Sequence, residues 1–226
     1  MTEATKLTID IYSDVMCPWC IIGYAQLQKA LAQLAGEIEA EVRWLPFELN
    51  PDMPPEGEPQ DAHIMRKYGR TPDQAAAGRA QMHEIAQRAG FSFAYTGAGE
   101  APAGMMRNTF AAHKLLKWAL IEGGAAMQNR LKLALFDAHF QQRRDVSDSD
   151  VLVELAAAQG LDPTGARAAL SDEALGVIVK HEEAQAYDKN VTGVPAMLVQ
   201  GKYMIPGAQE PEVYVNALRR VVERGI

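Results

Sequence analysis

Leu7, Ile9 and Ile11 alternate with Thr8, Asp10 and Tyr12, the period-two pattern of a strand, which ends at the turn-forming pair Ser13-Asp14. The period then changes. Ile21, Tyr24, Leu27, Leu31 and Leu34 recur at helical spacing up to Gly36, and Pro18 stands where a helix tolerates proline best, at its first position. Ala40, Val42 and Trp44 alternate again and lead into Pro46-Phe47-Glu48-Leu49-Asn50-Pro51. Strand, helix and strand in this order predict a right-handed unit with parallel strands.

A proline- and acid-rich stretch, Asp52 to Pro59, cannot continue a central strand. Beyond it the pattern predicts helices at about 60–68, 72–89, 104–122, 125–142, 148–159 and 163–170, with a break at Gly123-Gly124. Ile85, Leu115, Leu116, Leu120, Leu131, Leu135, Phe136, Leu152 and Leu155 are their expected shared core. Phe91 to Tyr95 is an apolar alternation too short to assign. A long helix from Glu173 to Lys189 precedes a hairpin, Met197-Leu198-Val199 and Tyr203-Met204-Ile205 around Gln200-Gly201-Lys202. A last helix spans Pro211 to Glu223. The order β-α-β, helical block, α-β-β-α predicts an α/β chain with a thioredoxin-like fold and a large all-α insertion after the second strand. The expected division is a discontinuous thioredoxin-like domain, residues 1–52 and 172–226, around an inserted helical domain, 53–171.

Composition narrows the function classes. An apolar content of 48% over 226 residues supports a packed core. The 22 basic side chains are scattered among 29 acidic ones, which argues against nucleic-acid or anionic-membrane surfaces as partners. The N-terminus lacks the basic and apolar regions of a secretory signal, and no apolar run is long enough to span a bilayer, so a cytoplasmic protein is expected, with a mature exported chain that has shed its signal as the alternative.

Cys17 and Cys20 are the only cysteines, three apart where the strand pattern gives way to the helix. Thiol-disulfide exchange needs a thiolate that attacks and a second thiol that resolves the mixed disulfide. Spacing i, i+3 on a first helical turn puts both sulfurs on one face within disulfide reach. The helix N-terminus favours an anion at Cys17, so Cys17 is the expected nucleophile, with a depressed pKa at an exposed rim, and Cys20 the resolving thiol. Half a zinc site is the first competing reading. It would need ligands from His63, His83, His113, His139, His181 or carboxylates, which show no zinc spacing, so no metal is expected. Two inert buried thiols are the second, and a proline between them at a strand-helix junction speaks against it. Thr192-Gly193-Val194-Pro195 stands directly before a strand, where proline needs a special backbone. A cis Val194–Pro195 bond would leave the Val194 backbone free to pair with a peptide or with glutathione as an added strand.

Ser13-Asp14 before Cys17-Pro18-Trp19-Cys20, Ile22-Gly23 after it, Trp44 to Leu49, Asn108 with Ala112-His113, Leu135-Phe136 with His139-Phe140, Gly193-Val194-Pro195 and Gly207-Ala208-Gln209 run in order through nearly the whole chain. Together they resemble the DsbA-like branch of the thioredoxin superfamily, and within it a FrnE-like cytoplasmic subgroup. The resemblance implies a thiol-disulfide oxidoreductase with Cys17 attacking, Cys20 resolving and Pro195 cis. The resemblance implies no cofactor, with glutathione a candidate co-substrate. Pro18, Trp19, Val194, Pro195, Asn108 and His113 are the expected substrate-binding residues, with local capping the alternative for Asn108 and an ordinary helix face the alternative for His113. Asn190 stands where the subgroup often has glycine and tolerates the same left-handed turn. Trp19 replaces the histidine of the strongly oxidising periplasmic relatives, which implies a weaker oxidant. Trp44 is expected in the core. Disulfide-containing proteins or small thiols are the expected partners, and a homodimer through the insertion or the outer sheet edge is compatible with the sequence. Kappa-type transferases and hydroxychromene-carboxylate isomerases resemble the same architecture but typically carry serine where Cys17 stands. A peptide-binding holdase with a redox switch is the non-enzymatic alternative.

Overall fold

The computed structural model describes residues 3–225. Strand β1, Thr5–Ser13, leads through a tight loop into helix α1, Pro18–Gln33, and then strand β2, Ile38–Pro46. Next come a two-residue strand β3, Glu58–Pro59, and helices α2, Gln60–Tyr68, and α3, Pro72–Ala89. A second short strand β4, Met105–Met106, precedes the long helix α4, Phe110–Phe136, which widens into a π-helical turn at Asp137–Gln141. Helices α5, Ser149–Ala158, α6, Pro163–Ser171, and α7, Glu173–Asp188, follow. Strands β5, Ala196–Val199, and β6, Tyr203–Pro206, and helix α8, Pro211–Glu223, close the chain.

The main sheet has the order β2-β1-β5-β6. β1 pairs parallel with β2 from Thr5↔Ile38 to Ser13↔Pro46, and antiparallel with β5 from Ile9↔Val199 to Tyr12↔Ala196. β1 is therefore interior, and both of its faces are covered: Ile9 and Ile11 pack under α1 and α8, while Tyr12 faces Phe47, Val191 and Leu198. That explains why its polar positions are buried too.

The helical region differs from the pattern-based expectation at three points. The helix expected from residue 104 begins at Phe110, because Met105–Met106 pair antiparallel with Glu58–Pro59 and Asn108 Oδ1 accepts the Phe110 N–H at 3.0 Å. The break expected at Gly123-Gly124 is one non-helical residue inside α4, Gly124 at φ 70° and ψ −174°, a conformation essentially restricted to glycine. The expected end of the same helix is the π-helical turn, closed by Gln142 N donating to Asp137 O at 3.0 Å.

Two large apolar clusters meet along this framework. Leu115, Leu116, Leu131, Leu135, Leu152 and Leu155 form the helical core as expected. Phe136 instead belongs to the sheet core, with Phe93 and Phe140 and with Ile85 packed against it. Leu120 is half-buried and joins neither. Phe136 lies 5.9 Å from Trp44, and Trp44 lies 5.1 Å from Tyr24, so an aromatic column crosses from the insertion to the sheet. Trp44 is buried, as expected. Its backbone N–H donates to Gln128 Oε1 and its carbonyl accepts from Gln128 Nε2, each at 2.8 Å.

Candidate active site

The loop between β1 and α1 delivers both cysteines. Cys17 is the N-cap of α1, in extended backbone, and Pro18 is the first helical residue. The Asp14 carbonyl accepts the Cys17 N–H at 3.1 Å, and the Cys17 carbonyl accepts the Cys20 N–H at 3.1 Å, so two consecutive turns set the positions of the sulfurs. Both thiols are free. The exposed rim expected from the sequence is not found: Cys17 is 3% exposed and Cys20 0%, whereas Trp19 between them is 40% exposed. The Val194 turn accounts for part of the cover, with the Cys17 thiol donating to Val194 O at 3.5 Å.

The Val194–Pro195 peptide bond is cis, and Asn190 ahead of it has φ 58°, the left-handed conformation its side chain tolerates. Gly23 explains how α1 docks on this turn. A Cβ there would stand 3.1 Å from Pro195 Cγ and 3.3 Å from Ala208 Cα, so any side chain would push the turn back by a few tenths of an ångström. Cys17, Pro18, Trp19, Cys20, Val194 and Pro195 are thus brought together. Asn108 is not joined to them: its side chain makes the local bond at the start of α4, and among the described residues no hydrogen bond links it to the cysteine pair. His113 reaches the site at one remove. It is buried, with Nε2 3.7 Å from Asp14 Oδ1.

Asp14 is the organising residue that a reading as a turn former missed. Its Oδ1 accepts from Met16 N at 3.2 Å and its Oδ2 from Leu49 N at 2.7 Å. Burial pushes its carboxyl up, but His113, the Leu49 amide and Lys132 outweigh burial and hold it below the usual carboxylate range. Lys132 itself is fully buried, its Nζ 4.8 Å from the Phe136 ring centre and 5.2 Å from that of Trp44. Burial draws its pKa down to about 8, against the opposing fields of Cys20, Asp14 and Cys17. His139, on the π-helical turn, is drawn down to about 4 by burial and by Arg143.

The two thiols titrate as a pair. Burial raises the Cys20 thiol, but hydrogen bonding from Cys17, the charge of Lys132 and the Ser13 hydroxyl outweigh it and place it below the ordinary thiol value. Cys17 is pushed well above that value by the hydrogen bond to Cys20, then by burial and by the negative charges of Cys20 and Asp14. The first proton therefore leaves the pair easily and the second with difficulty. This corrects the expectation that the helix end alone depresses Cys17. The sulfur makes no side-chain capping bond to the helix amides, and the strongest influence on it is the other sulfur.

The chain's residues 8–219 match the family model of the DSBA-like thioredoxin domain. The chain belongs to this family. A protein described as a probable DsbA oxidoreductase from Streptomyces coelicolor has a crystal structure that superposes on this DSBA-like chain with a TM-score of 0.84 and 32% identity, covering 96% of this chain and 90% of the other. The uncharacterized protein YwbO of Bacillus subtilis is 26% identical over 211 residues, 93% of this chain and 94% of its own. The cytosolic disulfide reductase DsbM of Pseudomonas aeruginosa shares the fold, with a TM-score of 0.59 and 20% identity over 96% of this chain and 98% of its own.

An open groove of about 910 Å³ in this DSBA-like chain lies elsewhere, between Lys6, Tyr24, Glu39, Glu41, Gly124 and Gln200, and contains neither cysteine. Among the described residues no three His, Cys, Asp or Glu side chains converge as a metal set, and no helix is long and apolar enough to cross a membrane.

Proposed function

We propose that this chain exchanges disulfides through Cys17 and Cys20, with Cys17 attacking the substrate and Cys20 resolving. The observation that carries this reading is the pair of free cysteines on the first turn of α1 with the Val194 carbonyl 3.5 Å from the Cys17 sulfur. Cys17 is the less covered of the two cysteine residues and lies beside exposed Trp19, so a substrate meets it first. The pair's single proton, moved from Cys17 to Cys20, turns the attacking sulfur into the thiolate. Attack on a substrate disulfide forms the bond between Cys17 and one substrate sulfur and releases the other as a thiolate. Loss of the Cys20 proton and attack of Cys20 on Cys17 then close the Cys17–Cys20 disulfide and free the second substrate thiolate.

The substrate class is an extended peptide or a glutathione-type disulfide laid along the Val194 backbone, with Trp19 and Pro18 as apolar contacts. The glutathione complex of the similarly folded DsbM supports including glutathione. A cytoplasmic protein of the FrnE-like subgroup is the corresponding assignment, supported by the landmarks from Ser13 to Gln209 and by a cysteine content limited to the reactive pair.

Trapping tests the reading. With a dithiol-reactive protein or glutathione disulfide as substrate, Cys20→Ser is expected to accumulate mixed disulfides at Cys17, and Cys17→Ser to accumulate none and lose exchange to background. Equal inertness of both variants overturns it, and glutathione conjugation at full turnover in Cys17→Ser replaces it with isomerase or transferase chemistry.

A further inference from the structure

Among the described residues Lys132 has no hydrogen-bond partner for its Nζ, and it is 0% exposed. A lysine normally extends its amine to water along an apolar stem, and burying it unpaired is strongly unfavourable. The Trp44 and Phe136 rings offset part of this cost. The plain structural reading is that the stem fills space in the seam between the two cores. An apolar chain of the same length would do that without a buried charge, so the amine needs its own explanation.

Its surroundings supply one. Lys132 shares a small cavity with His113, whose Nε2 also lacks a hydrogen-bond partner among the described residues, and with Lys117 and Glu182, which are paired to each other. Asp14 already accepts two backbone N–H groups and faces His113. Cys17 and Cys20 pack in the same buried core as Trp44 and Phe136, the two rings against which the Lys132 amine lies, so their negative charges, with that of Asp14, act on it. Only the cysteine pair changes its charge with redox state. Reduction of the Cys17–Cys20 disulfide by two thiols breaks the S–S bond, oxidises the thiols to their own disulfide and leaves one proton shared by the two protein sulfurs. The other proton is released. One negative charge thus remains, buried.

We propose that Lys132 is the charge partner of this couple: its ammonium balances the thiolate of the reduced pair from the insertion side and thereby sets the position of the redox equilibrium. This is a positioning role at a distance, and it deepens the exchange reading, on which it rests. Reciprocity follows, since a thiolate that gains from the ammonium must make the ammonium harder to deprotonate.

Lys132→Met in the full chain tests it. In the oxidised form, where no thiolate answers the ammonium, the expected result is a protein of equal or higher thermal midpoint, because an unpaired buried charge is gone. In the reduced form its first thiol ionisation, followed by thiolate ultraviolet absorbance and by alkylation rate against pH, moves about one pH unit upward. Its equilibrium with glutathione moves about tenfold toward the disulfide, roughly 30 mV more reducing. A folded Lys132→Met with an unchanged thiol titration and unchanged equilibrium overturns the proposal. Should the variant not fold, the wild-type protein decides: the Lys132 side-chain titration, read by NMR, is expected at higher pH in the reduced than in the oxidised form, and identical titrations overturn it. Neither titration requires turnover. Absence of any glutathione exchange in the wild type would therefore sink the exchange reading while leaving Lys132 to be judged separately.

Discussion

The sheet core and the helical core are built by different rules, and the cysteine motif lies where they meet. Val15 and Met16 pack with Leu115, Leu131 and Leu152 in the helical core, while Cys17 and Cys20 pack with Ile9, Leu27 and Leu218 in the sheet core. The boundary passes between two consecutive residues. Aliphatic and alanine side chains dominate the helical core, whereas the sheet core also takes in Trp44, Tyr24, Phe93, Phe136 and Phe140. The groups proposed to react come from the sheet side, and His113 and Lys132, which act on Asp14 and on the sulfurs, come from α4. The difference teaches that the insertion is the second wall of the site rather than an appendage of it.

The largest effect on this arrangement is expected from Phe136→Ala, which removes the aromatic crossing point. A loss of about 3–5 kcal/mol in denaturant unfolding follows from deleting a fully buried phenylalanine. Trp44 reports the sheet core and Trp118 the helical core. In variants keeping one or the other, both signals should lose stability together, and a Trp118 transition left in place would show two independent cores. Acid probes the same seam. His139 titrates near 4 in the folded chain and near 6.5 when unfolded, so the unfolded state takes up the proton first as pH falls. Its contribution is intact above about pH 6.5 and declines as pH drops through about 4, by roughly 3 kcal/mol. His139→Phe should flatten that slope in pH-dependent denaturation, and an unchanged slope would locate the acid sensitivity elsewhere. Gly124→Ala forces a side chain into glycine-only backbone and should cost about 1–3 kcal/mol. Its effect belongs to the helical core, so the Trp118 signal should show it first if the cores uncouple.

The strands and α1 were legible because period two and period 3.6 are written over enough residues to be counted, and Cys17, Cys20 and the Val194-Pro195 turn were legible through the chemistry of their residue types. The β3–β4 ladder was not, since two residues per strand carry no period. Asp14 reads as a turn residue because its long-range partner, the Leu49 amide, leaves no side-chain trace. Lys132 reads as a solvated helix position, yet it left a usable signal: Gln128, Lys132 and Phe136 lie four apart on one face of α4, and that face ends in a phenylalanine. The covering of Cys17 depends on the Val194 turn, far along the chain, and no local pattern announces it.

Gln128 exchanges two hydrogen bonds with the backbone of Trp44. β2 is an outer strand, and an outer strand displays unpaired amides to which another chain can add. At Trp44 those amides are already spoken for, because a single side-chain carboxamide does locally what a fifth strand would do. The helical insertion therefore guards the sheet margin against intermolecular β-pairing, and Gln128→Leu would expose a template for aggregation rather than merely loosen a contact.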